Sequence, residues 1–67
     1  MTHVQTHAYR VEQPDVEVLV DGTWHLGALR EWRQHGDLTW WASVRWSPGP
    51  DRHASLDAFP ADRVRPA

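Results

Sequence analysis

The sequence predicts a small all-β domain whose strands roll into one closed or nearly closed barrel. Three observations carry that expectation. Bulky side chains recur at every second position over 16–20 and 39–46, the rhythm of strands with one buried face. The turn signals Asp21-Gly22, Gln34-His35-Gly36-Asp37 and Ser47-Pro48-Gly49-Pro50-Asp51 divide the chain at intervals typical of all-β folds. Sustained helical periodicity and internal repeats are both absent. In a chain of 67 residues, closure is favoured because it removes exposed strand edges.

Taken in order, residues 1–14 alternate weakly and end at Pro14, which fits a flexible tail or an optional edge strand. The barrel is expected over 15–67. Val16, Val18 and Val20 share one face of the clearest strand, with a β-branched residue at each step. Asp21-Gly22 supplies a tight turn. The pattern resumes with Trp24, Leu26 and Ala28, while Gly27 marks a bend, a bulge or a close backbone approach. Arg30 falls in the phase of Ala28 and Trp32, so a bulge or register change is expected there.

After the next turn, Trp40, Ala42, Val44 and Trp46 occupy one face of a third strand, and Trp41, Ser43 and Arg45 the other. Neither a helix nor a central strand can cross the proline-rich loop over 47–51. A fourth strand carries Ala54, Leu56 and Ala58 in phase. Phe59-Pro60-Ala61-Asp62 then forms a short turn of 3₁₀ type before a fifth strand around Val64. Val18, Val44 and Leu56 are expected inside.

Composition restricts the chemistry. A chain of about 60 residues buries only roughly 60% of its unfolded surface, so the core is small. With no cysteine, neither disulfides nor the usual structural zinc sites can compensate. Five tryptophans, Trp24, Trp32, Trp40, Trp41 and Trp46, are too many for so small an interior, and those left outside make interaction sites. The net charge of −2 is no polybasic footprint. Every lysine position is taken by arginine, a hint of a GC-rich, bacterial genome, and a lysine-free chain excludes Schiff-base and P-loop chemistry. The amino terminus lacks a basic run followed by an apolar stretch, and no segment is long enough to span a bilayer, so a cytoplasmic location is expected.

The ordered features V-E-V-L-V-D-G-T-W-H-L-G-A-L, W-W-A-S-V-R-W and F-P-A-D-R-V-R-P resemble the Tudor and Agenet branch of SH3-like barrels, over Val16 to Pro66. The resemblance implies a five-stranded SH3-like barrel. It also implies an aromatic cage for methylated lysine or arginine, in which Trp24 matches the aromatic after the first turn and Trp46 the one ending the third strand. Pro48-Gly49-Pro50 stands where cage-forming members place a further aromatic, a role left to Trp41 or Phe59.

Leu56-Asp57-Ala58-Phe59-Pro60, following W-H-L-G-A-L-R-E-W, is also similar to the type II plasmid dihydrofolate reductases, in which four barrels share one pore. Asp57, Ala58 and Phe59 replace that family's glutamine, aliphatic and tyrosine.

The functional expectation is a non-enzymatic binding or assembly module, without a cofactor, that recognises a protein or peptide through Trp24, Trp41, Trp46, Phe59 and Arg45. Trp41 is the expected exposed anchor, unless it is buried under the N-terminal segment or against Trp32; Trp40 and Val44 are expected in the core. A nucleic-acid accessory role would use Trp32 to stack bases and Arg30 and Arg33 to hold phosphates. His3 and His7 have helix-type ligand spacing in a segment without helical character, and His25, His35 and His53 fall on a strand, a turn and a loop edge. Solvated histidines are therefore expected in place of a metal site, and the chain is expected to be a monomer or small homo-oligomer.

Overall fold

The computed structural model describes residues 8–10 and 15–67. The chain is all-β. Its strands are β1 (Ala8–Arg10), β2 (Asp15–Val20), β3 (Thr23–Gln34), β4 (Trp40–Trp46), β5 (Ser55–Pro60) and β6 (Val64–Pro66), with one 3₁₀ turn at Ala61–Arg63. All pairings are antiparallel, in the order β5-β4-β3-β2-β6, and β1 pairs with β3 beside this path. No helix is long and apolar enough to cross a membrane among the described residues.

The connection from β5 to β6 dictates the sheet's curvature. Laid flat, the two edge strands of a five-strand path would lie about 19 Å apart. The three residues that join them advance only roughly 6 Å in 3₁₀ geometry. The sheet must therefore curl until its edges approach. No ladder joins β5 to β6 among the described residues, so the expected barrel is a curled, open sheet here.

Two local devices make the curl. Leu29 pairs with Val44 but Glu31 pairs with Ser43, which leaves Arg30 as the extra residue of a bulge, where the sequence pattern faltered. Such bulges bend the strand and sharpen its twist. Gly27 is the second device: a Cβ placed there would lie 2.5 Å from Val44 Cγ1 and 3.1 Å from the Arg45 carbonyl oxygen. The missing side chain is what allows β3 to settle against β4.

The turns follow their sequences. Asp21 (φ 51°) and Gly22 (φ 78°) both lie in the left-handed region, as a two-residue type I′ hairpin demands. Between β3 and β4, the Leu38 amide donates to the His35 carbonyl and the His35 amide to the Thr39 carbonyl, each at 2.8 Å. Leu38 closes this turn with φ 70°, a position normally given to glycine.

The concave face holds the core. Val16, Val18, Leu29, Ala42 and Val44 are buried, with Val20, Trp32, Trp46, Phe59 and Val64 packed partly against them. Val18 and Val44 thus meet expectation, but two phases are corrected. In the first half of β3 the buried positions are Gly27 and Leu29, and Leu26 points outward with 63% of its surface exposed. In β5 the inward residues are Asp57 and Phe59, opposite Val44 and Ala42, so Leu56 lies outside at 60% exposure. Bulk does not label the face: Leu29, identical in size to Leu26, takes the inward phase of β3, and register decides which set is buried. Phe59 and Pro60 also belong to β5, and the 3₁₀ turn begins at Ala61, two residues later than expected.

Candidate functional site

Cross-strand partners in a sheet share a face, so the ladders assign every outward side chain. One row crosses the convex face as Asp15, Ala28, Arg45 and Leu56 on β2, β3, β4 and β5. A second row places Arg65, Glu17 and Leu26 on β6, β2 and β3. A third pairs Leu19 with Trp24. The convex side of β3 therefore reads Trp24, Leu26, Ala28 while its concave side carries His25, Gly27 and Leu29. An antiparallel strand with one solvated face normally alternates apolar with polar, whereas a strand covered on both faces is apolar throughout.

Charge on this face is arranged in three ways. Arg65 donates through Nε to Glu17 Oε1 at 2.8 Å and lays its guanidinium over Trp24, 3.9 Å from the ring centroid. Glu31 accepts from Arg33 at 2.7 and 3.1 Å. Asp15 and Arg45, both exposed, form no ion pair among the described residues. They stand one strand to either side of Ala28, on opposite sides of the apolar strip.

Trp41 occupies the far end of the same face, opposite Arg33 on β3 and Pro60 on β5. Its ring stacks on His35 with centroids 5.0 Å apart and planes 4° from parallel. The indole N–H donates to Thr39 Oγ1 at 3.1 Å, and that hydroxyl donates to Asp37 Oδ1 at 2.6 Å. Asp37 Oδ1 also accepts the Thr39 amide at 3.1 Å. These bonds, the hydroxyl's foremost and then the amide's, hold the Asp37 carboxyl below its ordinary value of 3.8, with His35 adding a smaller electrostatic pull. Trp41 is thus partly exposed and fixed by its own hairpin, away from Trp32.

Trp46 and Phe59 face the other way. Their rings meet edge to face with centroids 6.1 Å apart, and His25 approaches Trp46 at 5.2 Å. The Trp46 indole donates to Asp57 Oδ2 at 2.8 Å, which secures the rim of the core where β4 meets β5. The five expected binding residues consequently divide: Trp24, Trp41 and Arg45 lie on the convex face, Trp46 and Phe59 on the concave rim, and the two sets do not converge on one groove. For the same reason Trp24 and Trp46 do not form two walls of a cage.

The nucleic-acid set divides as well. Arg30 is the exposed bulge residue, Trp32 packs toward the core, and Arg33 is engaged by Glu31. Among the described residues no three His, Cys, Asp or Glu side chains group as metal ligands; the His3 and His7 pair lies outside the described residues. Leu26, Leu56, Arg65 and His35 all belong to the convex surface and were missed as site residues. The signal for the first was present in W-H-L-G-A-L, which places a leucine in each phase. No family model matches this chain, and neither do any curated protein or solved structure at a significant level.

Proposed function

We propose that this chain is a non-enzymatic binding and assembly module, built on a half-closed SH3-like barrel, that engages a protein partner through its convex face. The strand order, with a 3₁₀ turn returning the chain to a last strand beside β2, supports the SH3-like reading. The binding surface centres on Leu26, Arg45 and Leu56, with Trp24 and Trp41 at its two ends.

One observation carries this reading. Leu26, paired with Glu17 on β2, is 63% exposed, and Leu56, on the same face but across β4, is 60% exposed. An isolated exposed leucine needs no explanation. Two exposed leucines on either side of Arg45, which forms no ion pair among the described residues, match the apolar centre and arginine enrichment of interfaces. The preformed sheet would keep the ordering cost of association low.

The test is site-directed photocrosslinking in the native cell. A photoreactive residue at position 26 or 56 should give a discrete protein adduct that disappears with Arg45→Glu, while one at Asp51 in the distal loop should give none. Equal labelling from all three positions, or none from any, would remove the convex face as the binding surface.

A further inference from the structure

We infer that the partner seated on the convex face is a second copy of this chain, in a two-fold dimer whose axis runs along the first half of β3. The inference rests on the binding surface proposed above and names its occupant. The charge pattern of this face is self-complementary. Asp15 and Arg45 flank Ala28 in one cross-strand row, each about 5 Å from it. Laying one convex face on another with the axis parallel to β3 exchanges left and right. Asp15 of each copy then faces Arg45 of the other, twice by symmetry. Leu26 meets its own counterpart on the axis, and Glu17, already held by Arg65, meets no like charge. A surface whose acid and base, without ion pairs among the described residues, stand on opposite sides of an apolar strip is complementary to itself, as an isologous interface requires.

A further observation favours this occupant. The described core contains only five buried residues, none larger than leucine, and chains of this size without disulfides commonly draw stability from association. The bulge at Arg30 bounds the contact, because β3 changes direction there.

The experiment is sedimentation equilibrium of the full chain over a concentration series. The expected mass is twice the 7.8 kDa of one chain. Leu26→Asp should return a monomer whose amide spectrum stays dispersed. Asp15→Arg and Arg45→Asp should each weaken the dimer by about tenfold or more, since each brings like charges together. The double variant should restore it, because the exchange leaves the cross-pairing intact. A monomer at every soluble concentration would overturn the inference, as would a dimer indifferent to Leu26→Asp or a double variant weaker than either single one. A monomeric chain that still crosslinks from position 26 to a different protein would refute the second copy while leaving the binding surface standing. A monomer without crosslinks would end both.

Discussion

The guanidinium of Arg65, on the last strand, lies 3.9 Å above the ring of Trp24, two strands away. Glu17, directly opposite Arg65 on β2, orients it through Nε. Together they tie the carboxy-terminal edge strand to the first hairpin. Arg65→Lys keeps the charge but loses the flat stacking surface and the directed fork. The expected cost is about 0.5–1 kcal/mol of unfolding free energy, the range for an exposed cation–π contact, and it should shrink with added salt. Urea denaturation at low and high salt measures it, and an unchanged midpoint would show that the contact contributes nothing.

Gly27→Ala should destabilise the fold by roughly 2–3 kcal/mol, at the upper end of overpacking costs. The new methyl would lie 2.5 Å from Val44 Cγ1, and Val44 is fully buried, so it has nowhere to retreat. Thermal or chemical unfolding reads the loss. A neutral result would mean that β3 and β4 can separate locally without cost.

Leu38 offers the opposite outcome. It holds φ 70° while 72% exposed, so glycine would relieve backbone strain without emptying the core. The left-handed region costs a residue with a side chain about 1–2 kcal/mol, and glycine gives back roughly 0.5–1 kcal/mol of that in unfolded-state entropy. Leu38→Gly should therefore stabilise by about 0.5–1 kcal/mol. A loss of stability would place Leu38 in a contact that offsets its strain.

The Asp37 carboxyl gives the second hairpin an acid limit. Because its folded pKa lies below 3.8, its contribution is present above the unfolded value and fades as pH falls through the folded one. The Trp41 indole N–H resonance should shift over that range, since Thr39 Oγ1 links it to Asp37. In Asp37→Asn the acid-range shift should vanish; if it persists, another group is the source.

Val44→Ala and Leu56→Ala separate the two faces. Emptying a fully buried site should cost about 2–4 kcal/mol, whereas truncating Leu56 should change the stability of a monomer by roughly 0.5 kcal/mol or less. Comparable losses at low concentration would put Leu56 inside the core after all.

The strands and their turns were legible because their causes are local. Val16, Val18 and Val20 alternate without ambiguity, Asp21-Gly22 can hardly form anything but a tight hairpin, and the prolines over 48–50 stop any regular element. Even the Arg30 bulge showed as a break in phase. The faces of β3 and β5 were harder to read, since W-H-L-G-A-L places a leucine in each phase and S-L-D-A-F places a leucine and a phenylalanine in opposite phases. The convex surface escaped attention for that reason: its leucines looked like core.

By itself the sequence determined the all-β class, the positions of the hairpin turns, the break in β3 and the tryptophan excess that no small interior can absorb. Only the tertiary structure decided which apolar set faces inward, that Trp24 and Arg45 lie on the side away from Trp46 and Phe59, and that Asp15 and Arg45 flank one apolar strip. The physical reason is that alternation specifies two faces without labelling them. The label comes from cross-strand register and from the close approach at Gly27, and both depend on partners distant in the chain.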